Sequence, residues 1–340
     1  MTAVNTEKTM LNFDENKVRS DHQNGVDLIP AAEAIVDEIC EQGYSNIFLV
    51  GIGGTIFYAG QIKHTIRQLG CTLPIYVENA ADLLYEGNEN LNKDSVIVIA
   101  SLSGNTIEVE QFIDQAHKIG CRVLGYVEKL GTPLAEKSDF LVNTVGGEYY
   151  WWYTVALRFM KNAGQFDDYD ELMDQMKALP ENVVQIYKDA DAQMEAYAKK
   201  YCDEPITYLI ASGNLEDWAM CYGTCIMEEM QWMKTRPVSG ANFFHGTLEV
   251  VDRDIPVMVI KGEDKTRPQM DRVEKFVHRI SRKVTVFDTK DFDLIGIDDK
   301  FRGILSPIVM RSAFMRLNVH LEEARKHPID IRRYYKTLDY

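Results

Sequence analysis

Apolar residues in the first half of the chain gather into short continuous runs, each followed by small or polar residues and then by a stretch with helical spacing. Ile47, Phe48, Leu49 and Val50 form one run, closed by Gly51, Ile52, Gly53, Gly54 and Thr55. Residues 96–100 form another, closed by Ser101, Leu102, Ser103, Gly104, Asn105 and Thr106, with a helix expected to about Ile119. Further short strands are expected at residues 74–77, 123–127 and 140–143. Between residues 29 and 41 the apolar positions Ala32, Ile35, Val36 and Ile39 recur with the period of a helix. Strands that are apolar at every position are covered on both faces, so strand–helix alternation of this kind predicts a parallel sheet with helices on either side.

The flanking segments read differently. Residues 1–28 are polar and predict a helical arm interrupted by a break at His22, Gln23, Asn24 and Gly25. Residues 149–201 predict helices, including 169–179 and 181–200, with Pro180 marking the turn because proline suits a helix start and not its interior. The strand–helix pattern then restarts: strand 206–210, the turn Ala211, Ser212, Gly213, Asn214, helix 215–233, strand 257–260, helix 267–282 and strand 284–287. A chain of 340 residues exceeds the usual single core. The expected division is an arm at 1–28, a first domain at 29–165, connecting helices at 166–200, a second domain of the same architecture at 201–328 and a tail at 329–340.

Charge narrows the partners. With 37 basic against 52 acidic residues, net −15, and no basic block, the chain lacks the footprint of a nucleic-acid binder. Its six cysteines have neither zinc-site nor disulfide-framework spacing, which favours reduced thiols and no metal. Met1 to Glu7 show no basic stretch leading into an apolar core, and no apolar run approaches the roughly 20 residues that span a bilayer. A cytoplasmic protein without membrane partners is expected.

Two features carry candidate chemistry. The first is the turn from Ser101 to Thr106. A loop of small residues between a strand's carboxyl end and a helix gathers unpaired amides at the positive end of the helix dipole, which favours an anion. Ser101, Ser103 and Thr106 add hydroxyls, and Gly104 permits close backbone approach; the competing role for these hydroxyls is helix capping. Thr55, at a neighbouring strand end, is placed to serve the same crevice. Gly51 to Thr55 lack the full spacing of a dinucleotide loop, which argues against a nicotinamide cofactor. The second feature is a carboxylate and an imidazole. Glu228 and Glu229 end a helix whose buried stripe runs through Trp218, Cys221, Tyr222, Cys225, Ile226, Met230 and Met233, so Glu229 is either a rim residue or a desolvated base. His245 lies between Phe244 and Gly246 in a loop, and imidazole is the side chain suited to moving protons near neutral pH.

Together these motifs resemble the sugar isomerase (SIS) domain family over nearly the whole chain, most closely its fructoselysine 6-phosphate deglycases, and more distantly the isomerase half of glutamine:fructose-6-phosphate amidotransferase. The matching pieces are Gly53, Gly54 and Thr55; Ser101 to Thr106; Met227 to Trp232; Phe244, His245 and Gly246 with Leu248 and Glu249; and His327 and Pro328 with Arg332, Arg333 and Tyr334. The separation of 16 residues between Glu229 and His245 is the most discriminating part. Thr247 and Leu102 depart from the family pattern, which has proline and a polar residue there.

The resemblance implies an α/β fold of two doubly wound, flavodoxin-like parallel-sheet SIS subdomains in tandem. It implies that Thr55, Ser101, Ser103 and Thr106 bind a sugar phosphate, that Glu229 is the acid–base residue, and that His245 assists ring opening. It also implies a homodimer or higher homo-oligomer in which the histidine crosses from a neighbouring subunit, and a reaction without cofactor. The substrate implied is a phosphorylated sugar–amine adduct such as fructoselysine 6-phosphate. Gly53, Gly54 and Gly104 are further candidates for substrate binding, as are Trp151 and Trp152, in an aromatic run that suits a core helix better. An aldose–ketose isomerase of sugar phosphates, a glucoselysine 6-phosphate deglycase and a non-catalytic module that senses a sugar phosphate are the alternatives; the last needs the serine turn but not Glu229 with His245.

Overall fold

A computed structural model describes residues 10–338, so Met1 to Glu7 and the last two residues of the expected tail lie outside it. Nine strands form two all-parallel sheets. The first contains β1 (Asn46–Gly51), β2 (Ile75–Asn79), β3 (Ser95–Ala100), β4 (Arg122–Val127) and β5 (Phe140–Asn143) in the order β2-β1-β3-β4-β5. The second contains β6 (Thr207–Ala211), β7 (Thr235–Ser239), β8 (Val257–Lys261) and β9 (Val284–Asp288) in the order β7-β6-β8-β9. Each sheet places its second strand on one side of the first and its third and fourth on the other. The second sheet therefore repeats the topology of the first with one strand fewer, as the restart of the pattern predicts. In both, chain direction across the sheet reverses beside the first strand, and the crevice at that switch opens at the strands' carboxyl ends.

The strands with continuous apolar runs are central. Every residue of β1, β3, β6 and β8 is buried. The sheets meet through equivalent elements: helix Gly54–Gln68, which follows β1, packs on helix Asn214–Cys221, which follows β6. His64 Nε2 lies 3.5 Å from Asp217 Oδ2 across that contact.

Four departures from the sequence reading have physical causes. His22 to Gly25 do not break the first helix, Glu15–Asp27. A Cβ on Gly25 would lie 2.2 Å from Tyr150 Cδ2, so the glycine is there for close packing. Strand β7, not expected, holds Pro237 on the sheet's edge, where a missing N–H is tolerated. The helix read as 215–233 is α-helical only to Cys221 and continues as a π-helical segment, Tyr222–Glu228, in which Glu229 N–H reaches back to Thr224 O at 3.0 Å. Finally, Asp299–Arg325 is a 27-residue helix that the pattern did not reveal.

That last helix is buried among its neighbours and packs along helix Leu179–Tyr201. Pro180 occupies the first turn of the latter, as expected from its missing donor. Between the two helices, Arg316, 1% exposed, donates through Nε to Asp191 Oδ1 at 2.7 Å and through Nη2 to Leu11 O at 2.7 Å. His320 Nε2 lies 2.8 Å from the same Asp191 oxygen. Among the described residues no helix is long and apolar enough to cross a membrane.

Removing one member of a buried ion pair leaves the other charge without compensation, which costs about 3–5 kcal/mol. Asp191→Ala is therefore expected to lower the urea midpoint by an amount corresponding to that range, with an unchanged denaturant slope; a midpoint within error of the parent protein is the contrary result.

Candidate active site

The carboxyl ends of β1 and β3 present their loops side by side. In the loop after β1, Thr55 is folded back onto its own turn: its hydroxyl donates to Ile52 O and accepts from Ile52 N–H, both at 3.1 Å. Gly53 has φ +59° and precedes the helix, and Gly54 lines the cleft. In the loop after β3, buried Ser101 uses its hydroxyl oxygen to accept Gly104 N–H at 3.1 Å. Gly104 has φ +66° and a Cβ there would come 2.1 Å from Thr132 Oγ1, so no other residue fits. Thr55 and Ser101 thus shape the loops, and the half-buried Ser103 and Thr106 are the hydroxyls of the expected set left for a ligand. Thr106 stands at the N-terminus of helix Ile107–Ile119 without a side-chain capping bond, so capping does not account for it. The first-turn amides of that helix have no intrahelical acceptor and face an anion site by construction.

A cavity of about 490 Å³ lies between the two sheets. Gly54 and Leu102 border it from the first, Cys221, Cys225, Ile226 and Met230 from the second, and Arg311 and Met315 from the buried C-terminal helix. Glu229 is not among its lining residues but is paired with one of them. The carboxylate accepts from Arg332 Nε at 2.9 Å, and Arg332 itself lines the cavity. Of the two roles open to Glu229 in the sequence, this is the rim: the side chain keeps 29% of its exposure and is held by an ion pair rather than isolated from water.

The tail spans the cleft. Gln231 Nε2 donates to His327 O at 3.0 Å, Arg333 lies 4.1 Å over the Trp232 ring, and beyond them Tyr335 to Leu338 flank Asn105, Thr106 and Ile107 in an open groove that Lys336 also lines. A cation therefore stands beside the serine turn, to which the sequence reading had assigned only amides and hydroxyls.

His245 does not line this cavity. It is exposed, in the loop after helix Gly240–Phe243, beside Phe244, whose ring carries Arg272 at 4.0 Å. One chain does not bring it to Glu229. Trp151 and Trp152 are 0% exposed and belong to the core; the member of the aromatic run that faces the cleft is Tyr149.

Two further groups escaped the sequence reading. Arg311 sits in the cleft on a helix that had not been recognised. Glu148, at the start of helix Glu148–Asn162, is 6% exposed and its Oε1 has no hydrogen-bond partner among the described residues. Burial pushes its carboxyl up to about 7, with Arg311 opposing that shift and Glu128 reinforcing it. A small chamber of about 130 Å³, lined by Glu128, Glu148, Tyr58, Tyr149 and Arg311, joins these groups to the main cleft.

The fold is α/β, with a cleft between two parallel sheets. Residues 42–161 match the SIS domain family. Over 319 residues it is 27% identical to fructosamine deglycase FrlB of Bacillus subtilis, covering 91% of this chain and 96% of that one. It is 22% identical to fructoselysine 6-phosphate deglycase of Escherichia coli, covering 91% of each. A Bacillus subtilis structure provisionally named a phosphosugar isomerase superposes with a TM-score of 0.88 at 23% identity, covering 94% of this chain and 99% of that one. The C-terminal domain of glucosamine-fructose-6-phosphate aminotransferase from Francisella tularensis gives 0.75 at 15% identity, covering 92% and 96%. These relatives share the tandem parallel-sheet fold.

Glu148 supplies a test of the cleft's electrostatics. Its folded pKa is raised, so its contribution favours the folded state at low pH and is lost as pH rises from about 4.5 through about 7. Glu148→Gln stays uncharged, so the variant is expected to gain up to about 3 kcal/mol relative to the parent between pH 5 and pH 8. Urea unfolding at both pH values measures it; parallel pH profiles are the contrary result.

Proposed function

We propose that this chain is a phosphosugar deglycase, cleaving an Amadori-type amine adduct such as fructoselysine 6-phosphate to glucose 6-phosphate and the free amine. The observation that carries the reading is that one cavity is lined both by Leu102, from the loop after β3, and by Arg332, the ion-pair partner of the Glu229 carboxylate. The names of the relatives, all enzymes acting on sugar derivatives, agree with it.

The chemistry follows from the groups. The phosphate takes the first-turn amides of helix Ile107–Ile119 with the Ser103 and Thr106 hydroxyls. This fixes one end of the sugar. The ring form must open to expose the C2 ketone, and His245, delivered by a second copy of the chain, moves the ring-oxygen proton. Glu229, paired with Arg332, takes a proton from C1 to give an enaminol and returns it to C2. The resulting imine at C1 reacts with water and releases the amine. The substrate's own carbonyl accepts the electrons, so the proton relay needs no cofactor; a positioned acid–base group is worth about 10²- to 10⁴-fold in rate.

Incubation with fructoselysine 6-phosphate is expected to release lysine and glucose 6-phosphate. Interconversion of fructose and glucose 6-phosphates without amine release would assign an isomerase instead. Glu229→Gln is expected to lose at least about 10²-fold in kcat while fructose 6-phosphate still binds. Ser103→Ala should raise KM by several-fold and leave kcat close to the parent value; an unaltered KM removes Ser103 from the phosphate site.

Sharing of the site between copies has its own test. Glu229→Gln and His245→Ala, each inactive alone, are expected to regain activity when mixed and allowed to exchange subunits. No recovery, with exchange demonstrated by a tag, places both groups in sites of a single chain.

A further inference from the structure

The buried helix Asp299–Arg325 carries four arginines, and three of them have carboxylate partners. Arg302 donates to Glu263 at 2.8 Å, Arg316 to Asp191 at 2.7 Å, and Arg325 lies 3.7 Å from Asp203. Arg311 is different. Among the described residues its guanidinium has no ion pair: it reaches only Met315 Sδ at 3.9 Å and lies 6.0 Å from the centre of the Tyr149 ring. It is nevertheless exposed, and what it is exposed to is the cleft, because it lines both the main cavity and the small chamber behind it. The residues before and after it on the helix, Met310 and Ser312, are buried.

A guanidinium is always charged, and in a recess walled by Tyr58, Tyr149 and Met315 it is shielded from much of the solvent. Its nearest ionisable company is poor compensation. Glu148 holds its proton to an unusually high pH, Glu128 accepts the Gly146 amide at 3.0 Å, and Asp21, at the chamber's far end, is bonded to Lys17 at 2.6 Å. An acidic chain thus keeps one uncommitted cation in its cleft. A planar fork of N–H donors matches a carboxylate through two parallel hydrogen bonds. The phosphate is assigned in the deglycase reading to the serine turn, whose Leu102 borders both cavities.

We propose that Arg311 is the anchor for a carboxylate on the amine half of the substrate, so that the cleft selects adducts of free amino acids over adducts of simple amines. This rests on the deglycase reading for the identity of the substrate, and the tyrosine walls give the connecting carbons an apolar path between sugar and carboxylate.

The test compares two ligands that differ by the carboxylate alone: the 6-phosphorylated fructosyl adducts of lysine and of 1,5-diaminopentane. Titrated into the full-length Glu229→Gln protein, which keeps the adduct intact, the lysine adduct is expected to bind about 10- to 100-fold more tightly than the diaminopentane adduct. Adding Arg311→Met should bring that ratio to about one while affinity for fructose 6-phosphate is unchanged. Arg311→Lys, which keeps the charge and loses the fork, should retain a ratio between the two, and it decides the matter if the methionine variant does not fold. Equal affinities before Arg311 is replaced overturn the proposal, as does absence of binding by both adducts. A loss of fructose 6-phosphate affinity on replacement also overturns it, making Arg311 a phosphate ligand. If the parent protein releases no lysine from the adduct, the deglycase reading falls separately, and the binding ratio still decides the role of Arg311.

Discussion

A helix covered on all sides can hold polar residues only where its neighbours answer them, and that constraint governs the C-terminal helix Asp299–Arg325. Asp191 answers both Arg316 and His320, which fixes the rotation of this helix against Leu179–Tyr201. Tyr222 OH and Asn318 Oδ1, 2.9 Å apart, fix it against the helix that leads to Glu229, and Tyr153 OH donates to Ile304 O at 2.7 Å from the first domain. Once those bonds set the rotation, Arg311 must face the cleft. The geometry of the site is thus imposed by polar pairs, of which Tyr222 with Asn318 lines the cavity itself and the others lie outside its lining.

What was legible in the sequence follows from the same physics. Strands buried on both faces leave continuous apolar runs, so β1, β3, β6 and β8 were readable to within a residue or two, and the serine turn could be placed at a strand's carboxyl end. The C-terminal helix was not readable, because an element buried all round has no stripe, and Pro307 inside it looks like a terminator. Its one cleft-facing cation was lost with it. Pro237 hid β7 in the same way. For Glu229 the residue was legible and its setting was not: the π-helical segment before it and the ion pair to Arg332, 103 residues later in the chain, leave no local trace. Whether a serine or threonine hydroxyl closes its own turn or faces outward, the point that separates Ser101 and Thr55 from Ser103 and Thr106, depends on backbone angles that residue type does not fix.

The cleft also reconciles an acidic chain with an anionic ligand. A net charge of −15 repels phosphate at long range, but at the binding distance the local field decides, and salt screens the rest beyond about 8–10 Å. The local field here is positive in three places: the helix end behind Ser103, Lys336 beside it, and Arg311 across the cavity. Glu148 is the one fully buried carboxyl nearby, and holding its proton limits the charge it sets against them.

The contact between Arg332 and Glu229 has a strength suited to the acid–base role proposed for Glu229. An ion pair whose members keep 18% and 29% of their exposure contributes roughly 0–1 kcal/mol, so water or a substrate can replace either partner at little cost. A buried pair such as Arg316 with Asp191 offers no such exchange. The same residue types therefore serve two ends within one chain: deep between helices they set a rigid frame, and beside the cleft they hold a carboxylate in place without tying it down.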